Sequence, residues 1–387
     1  MLFAPELAPL DPATSPYGLA TPAHLALLRK FGLGFLPTGQ MVHPHPDSIP
    51  AWLLEECPGL RDPVALSKSM PKVDLEALAP VAAPGPDAPP LASLTLELGS
   101  PFTFDVFGGR HGENQARYEQ IGDVVALHVE WLLMLPPFGL TLGTVPLPGK
   151  VPVSAFLDAS PRELELLRSR IYFSPNYATC ERLVVLIQGK GAVRPGQWAR
   201  SLIMNDNMEA GAIFPYLREI FARGLGVIVL NPNNNHVEFP GAKRLPIPGS
   251  ENAIAHTLYV WENFIRPAAC SSIDFVVHSF GGVCAVELLA KIEHRRDFKR
   301  INQVLFTDSF HDDDVLPRST RVWLSKNSVN FAASTLPAGT KIGRPSEGAL
   351  QVSAGHPRHE YSSCKAMSMV MACLMDKAQF RQQFERR

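Results

Sequence analysis

The sequence predicts an α/β fold: a doubly wound, mostly parallel sheet with helices on both faces, preceded by a partly disordered, proline-rich N-terminal region. Three observations carry that expectation. Short aliphatic and β-branched runs at residues 183–187, 226–230 and 273–277 alternate with stretches of helical periodicity. Each run stops at a tight polar or glycine-rich turn, as strands feeding right-handed crossovers do. In IDFVVHSFGGVCAVELL (residues 273–289), a buried strand, a sharp turn at Ser279 and a helix follow one another without a gap.

Taken in order, residues 1–30 form a Pro- and Ala-rich segment. Its one helical patch ends at Phe31, with Thr21 and Pro22 suited to an N-cap and first helical position. Residues 31–95 form an N-terminal region whose insert APVAAPGPDAPP (residues 79–90) has the composition of an extended or disordered linker. The α/β domain is expected over residues 96–380. PFTFDVF alternates like a strand, and the helix after it sets Tyr118, Ile121, Val125 and Leu132 on one face. Prolines from Pro136 to Pro161 imply loops, followed by a short helix near residues 161–170. Strand 183–187 leads into Gln188-Gly189-Lys190-Gly191, and helix 213–223 is closed by Gly224. Strand 226–230 ends in Asn231-Pro232-Asn233, at the sheet edge where ligands sit in parallel α/β folds. Helix 251–265 turns Ile254, Leu258, Trp261 and Ile265 inward. Beyond the elbow helix, strand 303–306 ends in Thr307-Asp308-Ser309, 322–332 reads as helix, 350–354 as the last strand, and 363–380 as one closing helix.

Composition excludes several function classes. A net charge of -1 offers no electrostatic footprint for nucleic acid, so direct DNA or RNA binding is not expected. The six cysteines lack CxxC pairs and histidine partners at metal spacing, which points to reduced core residues, no metal and no cofactor. His311-Asp312-Asp313-Asp314 reads as a solvated loop. The basic group from His294 to Arg300 falls where the elbow helix ends, facing its dipole. Without a signal-like N-terminus or a membrane-length apolar run, the expectation is a nuclear or cytoplasmic protein, neither secreted nor membrane-spanning.

Chemistry centres on Ser279. Val277-His278-Ser279-Phe280-Gly281 is a degenerate nucleophile elbow, with valine where the first glycine usually stands. A serine becomes a nucleophile when a histidine takes its proton and a carboxylate orients that histidine. In α/β-hydrolases the chain order is nucleophile, acid, base, and Ser279, Asp308 and then His356 or His359 satisfy it. Oxyanion donors would come from the Phe280 amide and the turn Gly189, Lys190, Gly191, with Asn231 and Asn233 as further pocket candidates. His278 is expected on the opposite face of its strand, filling a polar core position.

The stretches LVVLIQGKGAVRPGQWARSLI, GVIVLNPN, ENAIAHTLYVWENFI, VVHSFGG, LFTDSFH and VSAGHPRHE, with FGLGFLPTGQ and GSPFTFDVF before them, resemble the Arb-two (Argonaute-binding-protein two) domain family over about residues 31–375. The resemblance implies an α/β-hydrolase-like fold. It also implies cotranscriptional regulation tied to Argonaute, chromatin and alternative splicing, and in fungal relatives RNA-silencing-directed heterochromatin. It carries the elbow serine onto Ser279, the TDS aspartate onto Asp308 and the RHE histidine onto His359, favouring His359 over His356. Two departures stand out: the family's His-Gly-Ser-Gly turn is Gln188-Gly189-Lys190-Gly191, and its long charged insert shrinks to residues 234–250. Nuclear residence follows by analogy. The expected function is an adaptor in Argonaute-linked regulation on a hydrolase-like scaffold; the alternative is an active serine hydrolase acting on an ester, amide or acylated protein.

Overall fold

Eight extended runs pair into one sheet in the computed structural model, which describes residues 19–20, 32–36, 38–43, 51–56, 58–62, 65–66, 92–93, 100–148, 167–239, 243–311, 316–343 and 348–385. In chain order they are β1 (Thr141–Val145), β2 (Ser169–Phe173), β3 (Arg182–Ile187), β4 (Gly226–Val229), β5 (Ser272–His278), β6 (Ile301–Thr307), β7 (Ser328–Ala332) and β8 (Leu350–Ser353). Across the sheet the order is β8-β7-β6-β5-β3-β4-β2-β1. From β8 to β4 every pair is parallel, while β2 runs antiparallel to both β4 and β1. The expected doubly wound, mostly parallel α/β sheet is present.

The sheet belongs to a compact unit formed by Phe138–Trp198 and Pro215–Arg387. Its helices are α2 (Phe214–Ala222), α3 (Ala253–Val260), α4 (Phe280–Ile292), α5 (Arg318–Asn327), α6 (Ser362–Met375) and α7 (Lys377–Glu385). A central strand covered on both faces is expected to be mostly apolar, and β5 is buried from Ile273 to His278, with Asp274 and His278 as its polar members. Ile273, Phe275 and Val277 face a core closed by Val260, Trp261, Val286 and Leu289. The opposite face is packed by α6.

Asp274, on that opposite face, is fully buried and needs a partner. Arg182 supplies it, with Nε 2.5 Å from Oδ2 and Nη2 3.1 Å from Oδ1, and Asn302 Nδ2 adds a bond of 2.8 Å. The same guanidinium donates to the Leu374 carbonyl, so one cation joins β3, β5 and α6. Arg300, from the basic group after α4, caps a different helix end than expected. It donates to the carbonyls of Arg266, Ala268 and Cys270, beyond the π-helical turn Trp261–Ile265 that continues α3.

Several expectations are corrected. Of PFTFDVF only Pro101 joins a strand, Ser100–Pro101. Asn114 Oδ1 accepts the Val106 and Phe107 amides at 3.0 and 3.1 Å, and Asp105 accepts Gly109, folding the rest into a turn. These local side-chain bonds outcompete ladder pairing. The loop-rich region contains β1, and the end of the expected short helix is β2. The segment after Asn233 is a hairpin, His236–Phe239 against Lys243–Pro246. The helix expected over 322–332 ends at Asn327, because Val329 and Phe331 are buried where β7 pairs with β6 and β8. The closing helix breaks at Asp376, whose carboxylate accepts the Gln379 amide at 2.8 Å and starts α7. The helical patch before Phe31, the insert at residues 79–90 and Asp312 to Asp314 lie outside the described residues.

A second unit comprises Ala8–Pro137 and Ala199–Phe214. It contains α1 (His111–Met134), which buries Ile121, Val125 and Leu132 as expected, and a small antiparallel sheet of Gly34–Phe35, Met41–His43 and Ser100–Pro101.

Candidate active site

Ser279 stands between β5 and α4 with φ 51° and ψ -121°. A side-chain-bearing residue held there costs about 1–3 kcal/mol, so surrounding structure must enforce it. The enforcing contacts are visible. A Cβ on Gly281 would lie 2.4 Å from the Ile187 carbonyl oxygen, and one on Gly282 would lie 1.9 Å from Ser309 Oγ. Only glycines let α4 press this closely against the ends of β3 and β6. Gly189 meets the same limit from above, since its Cβ would come 2.9 Å from that of Ser279.

Among the described residues, the other non-glycine with positive φ is Asp308, at 52°. Its amide donates to the Phe331 carbonyl at 3.0 Å, and its Oδ1 accepts the Ala333 amide at 2.9 Å. Asn330 clamps the next residue through both its amide groups, each 3.2 Å from the Ser309 backbone. The turn thus aims Oδ2 at His359 Nδ1, 2.6 Å away. An ionised carboxylate only accepts, so Nδ1 carries the proton and Nε2 keeps the lone pair that a general base requires. Burial pushes the Asp308 carboxyl up, but the His359 hydrogen bond and the Ala333 amide outweigh it and hold it below its ordinary range.

The sequence left His356 and His359 open on spacing alone, and the structure brings His359 to Asp308. His356 instead packs on Tyr361, with ring centroids 4.3 Å apart. No hydrogen bond joins Ser279 Oγ to His359 among the described residues; such contacts commonly tighten only with substrate bound.

Of the oxyanion candidates, Phe280 opens α4, where an amide has no acceptor within its helix. The Gly191 amide is not free, a correction to the sequence expectation: it donates to Asn233 Oδ1 at 3.2 Å. The Asn233 Nδ2 group donates to the Gly189 and Val193 carbonyls, so this side chain shapes the turn. Lys190 Nζ lies 5.6 Å from the centroid of the Phe280 ring, a cation–π contact at the site's edge. Asn231 is buried, and its Oδ1 has no partner among the described residues.

Three site residues went unassigned from sequence. His278 is buried, as expected, but its ring also stacks on His359 at 4.7 Å. Phe310, 76% exposed, flanks His359 at 5.6 Å. Its position two residues after Asp308 was the available signal. Asn330 had none, because only the β6–β7 register brings it to Ser309.

Two neutral histidines make the fold acid-sensitive. Burial pulls His256 from 6.5 to about 3, and its Nε2 accepts the Asn231 amide at 3.0 Å. Burial, followed by the nearby His359, pulls His278 to about 4. Between those values and 6.5 the unfolded chain binds more protons than the folded one, so stability falls as pH drops through that window. Unfolding free energies from urea titrations at pH 7 and pH 5 should differ by on the order of 2 kcal/mol for each histidine. Asp308 acts only lower: the stability that its lowered pKa contributes is present above the ordinary 3.8 and is lost as pH falls below it.

Comparison with known proteins bears on the same segments. The Arb2 domain profile matches residues 99–338. "Cotranscriptional regulator ARB2A homolog" of Xenopus tropicalis is 31% identical over 335 residues, covering 73% of this chain and 76% of the relative. "Cotranscriptional regulator ARB2A" of Homo sapiens is 29% identical, covering 71% and 74%. A solved histone deacetylase from Saccharomyces cerevisiae is 13% identical with a TM-score of 0.40, covering 66% of this chain and 98% of that one, a likeness too low to bear on activity. The profile spans more than half of the chain and takes in both the elbow and the Asp308 turn: the chain belongs to the Arb2 domain family.

Proposed function

We propose that this chain is a cotranscriptional regulator whose α/β unit acts as a serine hydrolase on an ester, amide or acylated protein. The observation that carries the hydrolase assignment is the junction of two strained turns. Ser279 and Asp308 are the non-glycine residues held at positive φ among those described, and Asp308 Oδ2 lies 2.6 Å from His359 Nδ1.

The chemistry follows from that arrangement. His359 Nε2 takes the proton of Ser279 as Oγ attacks the carbonyl carbon, and the amides of Phe280 and the Gly189–Lys190 turn face the developing oxyanion. Collapse breaks the bond to the leaving alcohol or amine, which takes the proton from His359. Water, deprotonated by the same nitrogen, then splits the acyl-serine to give the acid and free Ser279. Purified full-length chain is expected to turn over short acyl esters, with turnover lost in Ser279→Ala. Equal rates in the two proteins would contradict the assignment.

The regulatory half is supported by the names of the ARB2A relatives. It also allows a second role, as an adaptor for Argonaute, chromatin or splicing proteins in the nucleus, and the engaged Gly191 amide favours it. Co-purification of such proteins unchanged by Ser279→Ala would separate this role from catalysis.

A further inference from the structure

A cavity of about 610 Å³ adjoins the elbow and shares Lys190, Gly191 and Phe280 with it. Pro232, Ile254 and the Phe280 ring give it apolar surface, and Lys190 and Arg244 give it two cations. Apart from His236, the polar side chains around them are already committed. Asn233 and Asn235 donate to backbone carbonyls, and Asn252 caps α3 by accepting the Ala255 amide. Among the described residues, neither Lys190 nor Arg244 has a carboxylate within ion-pair distance. Glu238 is the cross-strand neighbour of Arg244 without pairing to it, and Glu251, the one carboxylate in the cavity wall, accepts the Gly249 amide at 2.8 Å. The first turn of α3, Ala253 and Ile254, lines the same space and adds the positive end of its dipole.

Two cations without a carboxylate partner and a helix N-terminus at the rim of a partly apolar cavity fit one ligand chemistry: a short hydrocarbon body ending in an anion. We infer that this cavity is the acyl subsite, and that it takes an acyl chain ending in a carboxylate, as in an ester or amide of a short dicarboxylic acid. The inference rests on the hydrolase assignment for its role in substrate choice, but binding tests it separately.

The test is calorimetric titration of the full-length Ser279→Ala chain with monomethyl glutarate and with methyl butyrate, a neutral counterpart. Monomethyl glutarate should bind more tightly. Lys190→Gln combined with Arg244→Gln should weaken it by about tenfold, since each solvent-exposed charge contributes modestly. Glu251→Gln should strengthen it, and added salt should weaken it. Methyl butyrate should respond to none of these changes. Equal binding of the two ligands, or binding of monomethyl glutarate unchanged in the folded double variant, overturns the inference. Turnover of esters by the wild-type chain is scored separately. Charge-selective binding without turnover upholds the subsite and removes the hydrolase, whereas turnover with charge-blind binding does the reverse.

Discussion

Asp308→Asn is expected to slow reaction at Ser279 by about 10⁴-fold while leaving the fold intact, the scale set when a triad aspartate loses its charge. Asparagine tolerates the positive φ of 52° found here, and its Oδ1 still accepts the Ala333 amide. What changes is the atom facing His359 Nδ1, 2.6 Å away. An amide NH₂ there forces Nδ1 to accept, which moves the ring proton to Nε2 and removes the lone pair that Ser279 needs. Ester turnover and melting temperature, measured together, check it. A rate within about tenfold of wild type, with the melting temperature unchanged, would contradict the triad.

Arg182→Met should give the largest loss of stability, about 3 kcal/mol in denaturant titration. Asp274 is fully buried in β5, and without the guanidinium it keeps Asn302 Nδ2 at 2.8 Å and the charge of Lys377, which itself donates to the Asn302 carbonyl. Breaking a buried pair from one side typically costs about 3–5 kcal/mol, because an uncompensated charge stays behind. The lower end applies because the Arg182 side chain remains 22% exposed. The double variant Arg182→Met, Asp274→Asn should recover part of the loss by removing the stranded charge. A single-variant loss below about 1 kcal/mol would mean that water or Lys377 compensates the carboxylate.

The three residues of the proposed triad were legible because their signals are local and ordered. A serine before two glycines, an aspartate at the next strand end and a histidine after the last strand can each be found without knowing the neighbours. Choosing His359 over His356 needed either the family resemblance or the Asp308 distance. The role of Gly191 was hidden for the opposite reason, since its amide is taken by Asn233, 42 residues away. The β7 segment failed similarly. SVNFA follows directly on helical periodicity, and only burial of Val329 and Phe331 between two strands makes it extended. PFTFDVF shows the converse, a good strand pattern captured by Asn114 and Asp105.

Covalent labelling of the full-length chain with a fluorophosphonate tests the central claim most directly, because it reports an activated serine without requiring the substrate. The geometry of Ser279, Asp308 and His359 predicts labelling of the wild-type protein that is lost in both Ser279→Ala and His359→Ala. Folded protein that takes no label, or a label that persists in Ser279→Ala, would contradict it.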